Sequence, residues 1–347
     1  MKPVVHTAGG SELITRCHRL SRSLNREFNL IRMAQSSLLP AITWPNGKKF
    51  AFTVFDDTDF AEVENVGPVY ALLRDLGMRT TKSVWPIKGA ETPVCGGATC
   101  EDPEYLRWLK QLQRDGFEIG YHMATYHTSV RGQTKRGLDR FAELFGGPPK
   151  TLANHSACCE NIYWGDARIS GARRLAYNAL TRFRHYRRFR GHMNGDPLYW
   201  ADLCRERVTY VRNFVFDDIN TLAACPMMPY HDPQKPEVNY WYASSEGPEI
   251  ESFVRCISEA NQGRLEAEGG ACIMYTHFAC GFVRDGAVNR RFVDLMTRLS
   301  CLAGWFVPVG ELLDYIRQQR GDHTLTDRER RQLERRWLSH KLRVGAT

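Results

Sequence analysis

Chemistry-bearing side chains in this chain stand at the ends of three apolar runs. Phe52-Thr53-Val54-Phe55 leads into Asp56 and Asp57. Phe117-Glu118-Ile119-Gly120-Tyr121 leads into His122, with His127 just beyond. Ala271-Cys272-Ile273-Met274-Tyr275-Thr276 leads into His277. Each run has the length and composition of a buried strand. The C-terminal ends of strands are where α/β architectures gather ligands and chemistry. Two carboxylates and three imidazoles at such ends suit a divalent metal with an acid and a base beside it.

Plain structural roles exist for the same residues. Adjacent acids can cap the helix that follows them, and a histidine after an apolar strand can be a satisfied core residue. What raises the metal reading is the combination, three strand ends in one order.

The elements that would position these groups alternate strand and helix. Lys49 to Phe55 reads as a buried strand, followed by Val66, Val69, Tyr70, Leu73 and Leu76 at helical spacing up to Gly77. Thr80 to Trp85 reads as a second strand, and Tyr105, Leu106, Trp108, Leu109 and Leu112 as the next amphipathic helix. A helix over about 131–145 and a short strand ending at Asn154-His155 follow. Residues 167–190 read as largely helical and very basic, 208–216 as a strand, and 226–248, rich in Pro, Tyr and Trp, as a long loop. Repeated βα units of this kind imply a parallel sheet with helical crossovers. The expected fold is α/β, a distorted (β/α) barrel of about seven parallel strands over 46–318. An extension over 1–45, with a helix over about 22–39, precedes it, and a basic helical tail over 319–347 follows.

Bulk properties exclude several classes. With 347 residues, 43% hydrophobic and 25% charged, the chain can bury a full core. No apolar stretch reaches the length of a membrane span. The first forty residues show no apolar segment before a small-residue cleavage site, so a cytoplasmic protein is expected. The eleven cysteines lack framework spacing and are expected to be reduced thiols. The net charge of +8 is concentrated around Arg182–Arg190 and Arg328–Arg336. Such clusters can meet phosphates, anionic glycans or a membrane surface, or be solvated helix faces. No nucleic-acid motif accompanies them, and no nucleic-acid partner is expected.

These residues resemble the polysaccharide deacetylase family, the NodB-homology or carbohydrate esterase family four group, over roughly residues 48–318. The family's opening T-F-D-D motif is matched by Thr53-Val54-Phe55-Asp56-Asp57, one residue longer. The resemblance implies a distorted (β/α) barrel that binds a divalent metal, often zinc, and removes N- or O-acyl groups from sugars. Carried over residue by residue, it implies Asp56 as catalytic base and Asp57 as metal ligand. It implies His122 and His127 as the two further ligands and His277 as the acid. This chain departs from the pattern in three places. Thr58 and Asp59 follow the paired acids where the family has glycine. Four residues, rather than the usual three, separate His122 from His127. The arginine-proline motif that braces the base is not legible, and Asn154-His155 occupies its strand end.

The resulting expectation is a metal-dependent hydrolase that removes an acyl group from an amino sugar or glycan precursor in surface-polysaccharide biosynthesis. His155, Arg187 and Arg188 are the expected substrate contacts, the arginines holding a phosphate if the precursor carries one. Contact with a membrane surface through the basic clusters is compatible with that reading. Two alternatives share the sequence features. One is a hydrolase acting on a non-sugar amide, imide or formamide. The other is a glycan-binding protein that has lost catalysis.

Overall fold

The computed structural model describes residues 40–344. The N-terminal extension and the helix expected over 22–39 lie outside the described residues. From Ile42 to Val344 the chain forms one compact unit.

Seven barrel strands follow in chain order: β1 (Phe50–Asp56), β2 (Thr81–Val84), β3 (Glu118–Tyr121), β4 (Thr151–Leu152), β5 (Tyr210–Phe216), β6 (Tyr240–Glu246) and β7 (Ala271–Thr276). Each pairs in parallel with the next, and β7 returns to β1, so the barrel is closed. Every residue of β1 is buried. Its near-continuous apolar run is what a parallel strand needs when a barrel interior lies on one side and helices on the other. The closing register runs from Ala51 opposite Ala271 to Asp56 opposite Thr276. It brings Asp57 and His277 off the barrel rim at the same level.

Amphipathic helices cover the outside. Val63–Asp75 buries Val66, Val69, Tyr70 and Leu73; Pro103–Arg114 buries Tyr105, Leu109 and Leu112. Arg131–Phe145 ends on Gly146, whose φ of 83° is the left-handed cap geometry that glycine adopts without strain. In the same helix, a Cβ at Gly137 would lie 2.6 Å from the Ala124 Cβ. The missing side chain lets this helix close on the loop that follows His122.

Two segments differ from the sequence reading. The stretch read as a loop over 226–248 contains β6, a full barrel strand with Trp241, Tyr242, Ala243, Ser244 and Ser245 buried. Aromatic and small polar residues serve a strand well when neighbours satisfy the hydroxyls: Ser245 donates to the Asp218 carbonyl at 2.6 Å and meets Thr221 at 2.6 Å. The basic stretch over 167–190 is less helical than its composition suggests. Only Gly171–Leu180 is α-helix, preceded by a 3₁₀ turn, Gly165–Arg168. Arg182, Phe183 and Arg187 take positive φ, which ends regular helix there.

The C-terminal helix Asp327–Val344 packs on the barrel. Thr326 caps it, accepting the Glu329 N–H at 3.3 Å while Glu329 reaches back to the Thr326 N–H at 2.9 Å. Its Trp337 is fully buried beside Phe214 of β5 and Tyr177, with ring centroids at 5.5 and 5.4 Å. No described helix is long and apolar enough to cross a membrane.

Candidate metal centre

Three strand ends meet at one point on the barrel rim. The turn after β1 supplies Asp59, the end of β3 supplies His122, and the end of β4 supplies His155. Asp59 Oδ1 lies 3.0 Å from His122 Nε2 and 3.3 Å from His155 Nδ1. The two imidazole centroids are 5.0 Å apart. All three residues are buried, and one ligand atom from each lies within 4.8 Å of the others. Trp85 walls the pair, 6.1 Å from the His122 ring and 5.5 Å from the His155 ring.

The electrostatics fit a cation-binding set. Burial opposes the charge of Asp59, but hydrogen bonds and charge from His122 and His155 outweigh it and hold the carboxyl well below its usual range. Burial lowers the pKa of His122 despite the neighbouring Asp57 and Asp59. Burial also works on His155, yet Asp59 and Asp57 raise it overall. Beyond the contacts with Asp59, His122 Nδ1 and His155 Nε2 are buried without hydrogen-bond partners. Two imidazole nitrogens and one carboxylate are a donor set that suits zinc and leaves coordination positions open. The residues present therefore fit a divalent metal.

Two further groups face this cluster. Asp57 Oδ1 lies 3.9 Å from His122 Nδ1. Both Asp57 oxygens accept from Arg212 of β5, at 2.9 and 2.5 Å. His277 Nε2 lies 3.8 Å from Asp59 Oδ2. Its Nδ1–H donates to the Pro248 carbonyl at 2.9 Å, which turns Nε2 toward the cluster.

The ligand set expected from the sequence, Asp57, His122 and His127, does not converge. His127 Nδ1 is bonded to the Thr128 carbonyl at 3.0 Å, and its Nε2 faces the Glu91 N–H at 3.4 Å. The second imidazole beside His122 is His155, and the carboxylate between them is Asp59. Asp56, the expected base, is fully buried in the barrel wall. It accepts from Tyr70 at 3.0 Å and the Phe278 N–H at 2.8 Å, and pairs with Lys82 at 2.9 Å. Arg187 lines a separate cavity of about 370 Å³ with Asp166, Arg174 and His192, and its own N–H donates to Asp166 at 3.3 Å. Arg188 lies over the Phe189 ring, its Cζ 5.4 Å from the centroid. Neither arginine is part of the cluster.

Arg212 escaped the sequence reading altogether. Its signal was present: a single arginine inside the apolar strand Tyr210–Phe216 must be paired if that strand is buried.

No family model matches the chain, and no curated protein matches it. Among solved structures it is similar to a Mycobacterium smegmatis protein assigned as a polysaccharide deacetylase. That match has 13% identity and a TM-score of 0.48, and covers 83% of this chain and 98% of that one. It is also similar to the peptidoglycan deacetylase PdaC from Bacillus subtilis, at 12% identity and a TM-score of 0.37, over 85% of this chain and 100% of that one. A CE4 family pseudoenzyme from Bacillus anthracis matches at 12% identity and a TM-score of 0.35, over 82% of this chain and 71% of that one.

Proposed function

We propose that this protein is a metal-dependent hydrolase that removes an N- or O-acyl group from an amino sugar or glycan precursor. The observation that carries the reading is the convergence of Asp59, His122 and His155, with Asp57 and His277 both facing them. The sugar substrate follows from the resemblance of the strand-end motifs to the polysaccharide deacetylases.

A cation held by Asp59, His122 and His155 would supply Lewis acidity toward an acyl carbonyl and a water. Asp57 is the base, positioned to take a proton from the attacking water. Arg212 holds both of its oxygens and thereby fixes the carboxylate's orientation. His277 is the acid, giving a proton from Nε2 to the departing nitrogen or oxygen. The Pro248 carbonyl keeps its hydrogen bond to Nδ1–H in both protonation states, so the ring holds its orientation through the transfer. Tyr275 flanks His277 with ring centroids at 5.2 Å, and Trp85 closes the imidazole side against water.

The test combines elemental analysis with turnover. Wild type should carry about one equivalent of metal and release acetate from an N-acetylated amino sugar. His155→Ala should lose the metal and the activity together. Wild type that takes up no zinc, cobalt or manganese would overturn the reading.

A further inference from the structure

Arg168 closes the 3₁₀ turn Gly165–Arg168 and is only 4% exposed. Among the described residues it makes no ion pair and no hydrogen bond, and its Nε is buried without a partner. Its guanidinium carbon lies 3.1 Å from the Trp164 ring centroid and 5.2 Å from that of Trp337. Indole faces hold such a group in place through its charge and its plane, but they do not occupy its hydrogen-bond donors.

Nearby carboxylates are already engaged. Glu246 is bound by His340 at 2.6 Å and by Lys341 at 3.4 Å. Asp57 is gripped by Arg212. Arg212 and Lys341 add positive charge to the same neighbourhood, within electrostatic range of Arg168. Burial pushes the Arg168 pKa down to about 9, in keeping with a charge stripped of water and given no counter-ion. Buried charges are ordinarily paired.

Arg168 is within electrostatic range of Tyr275 and Arg212. Arg212 Cζ lies 4.3 Å from the Tyr275 ring centroid, and Tyr275 flanks His277. A planar guanidinium with free donors, held between indoles, is suited to bidentate capture of an oxyanion.

We propose that Arg168 binds a compact oxyanion, a phosphate or a carboxylate, carried by the substrate whose acyl group the neighbouring centre removes. This deepens the proposed function and rests on it: the substrate class becomes anionic acylated amino sugars. Arg187 and Arg188, the arginines that the sequence singled out for such a role, are not needed for it.

The test titrates inorganic phosphate and D-glucuronate into the full-length wild type and Arg168→Gln by calorimetry, with the metal content of each sample measured. Each titration is repeated after chelation, so that capture of the anion by a metal is separated from capture by Arg168. Wild type should bind at least one of the two anions with or without metal, and Arg168→Gln should bind it at least tenfold more weakly while keeping its metal. Phosphate binding alone assigns a phosphorylated substrate; glucuronate binding alone assigns a uronate. Arg290→Gln, at an exposed position of the helix Arg290–Ser300 and outside this segment, should bind as wild type does. If Arg168→Gln does not fold, Arg168→Lys replaces it, keeping charge without the planar fork, and should also weaken binding. Equal affinity in wild type and the Arg168 variant, or no binding of either anion by wild type, overturns the proposal. Anion binding that depends on Arg168 in a protein that takes up no metal would support the anion site and sink the hydrolase reading instead.

Discussion

Arg212 of β5 donates to both carboxylate oxygens of Asp57, at 2.9 and 2.5 Å, and both residues are almost fully buried. The pair spans the barrel mouth from the fifth strand to the first. It gives Asp57 a fixed orientation beside His122 without an arginine at the end of β4, where His155 stands instead. A bracing arginine supplied from the next strand leaves the β4 end free to contribute an imidazole.

Arg212→Lys should separate orientation from charge. Lysine keeps the positive charge but cannot make the two parallel bonds. The expected result is a kcat lower by about 10- to 100-fold, with KM little changed, because an interaction that positions a base acts on the chemical step. Arg212→Ala leaves a buried carboxylate without its partner and should cost about 3–5 kcal/mol of stability. Steady-state kinetics and urea titration check the two outcomes. An Arg212→Lys variant with full kcat would remove Arg212 from the positioning role.

The metal set can be tested by single substitutions read as metal content. Asp59→Asn, His122→Ala and His155→Ala should each lose bound metal, whereas His127→Ala should keep about one equivalent. Wild type should also be stabilised by added zinc, by about 2.7 kcal/mol at a hundredfold excess over Kd, and the first three variants should not. Metal loss in His127→Ala with retention in His155→Ala would restore the histidine pair expected from the sequence.

Much of the barrel was legible because β1, β3 and β7 are predominantly apolar runs that lead into a polar residue. β6 was not, because Tyr240–Glu246 sits among prolines and fills its buried positions with Ser244 and Ser245. Only tertiary partners such as Thr221 and the Asp218 carbonyl make those hydroxyls tolerable there. The ligand set was partly hidden for a related reason. Proximity in sequence favours Asp56-Asp57 and His122…His127, whereas the strand ends bring together residues from different βα units. Asp56, the last residue of β1, turns into the wall toward Lys82 and Tyr70. Asp59, two residues past Asp57, reaches the histidines. His155 was recognised as a site residue, but its partnership with His122 depends on β3 and β4 being neighbours in the barrel.

Asp56 and Lys82 make a further test of that division. Both side chains are fully buried and 2.9 Å apart. Asp56→Ala strands the lysine and should destabilise the fold by about 3–5 kcal/mol, while metal content per folded molecule stays at one equivalent. The paired change Asp56→Ala with Lys82→Met should recover much of that loss, since a buried pair replaced by apolar groups is often neutral. Chemical denaturation and elemental analysis together read both. Loss of metal in a folded Asp56→Ala protein would count against a purely structural role.

Glu160 supplies a prediction about pH. It is fully buried, and no hydrogen bond of good geometry reaches either carboxyl oxygen. Burial raises its pKa from 4.5 to about 7, with the weaker opposing contributions of backbone N–H groups and His155. An acid whose folded pKa is raised binds its proton more tightly in the folded state. The fold is therefore favoured below the unfolded value and loses stability as pH climbs from 4.5 toward 7, after which the loss is constant. The difference amounts to roughly 3 kcal/mol. Glu160→Gln, which keeps a neutral group of the same shape, should be more stable than wild type by that order at pH 8 and nearly equal to it at pH 4.5. Urea titrations of chelated protein at the two pH values measure this directly. Parallel behaviour of the two proteins across the range would mean that the carboxyl finds a partner in solution.

Trp337 ties the C-terminal helix to the barrel and to Arg168 at once. Its ring is fully buried, stacks near Phe214 and Tyr177, and forms one wall of the guanidinium's slot. On the same helix Glu334 is fully buried and accepts from Arg173 at 2.6 Å and from Ser170 at 3.0 Å. These bonds hold the segment 165–180 that carries Arg168. Trp337→Ala should cost about 3–5 kcal/mol, the range for removing a large aromatic side chain from a packed core. It should also weaken anion binding by loosening the Arg168 slot, whereas Trp337→Phe should preserve most of both. Removing residues 327–344 takes away the tryptophan and the carboxylate together, and the shortened chain should show a broadened, less cooperative melt by circular dichroism. A truncated protein that melts as sharply as wild type and at the same temperature would show that the barrel and the 165–180 segment hold their packing without the helix.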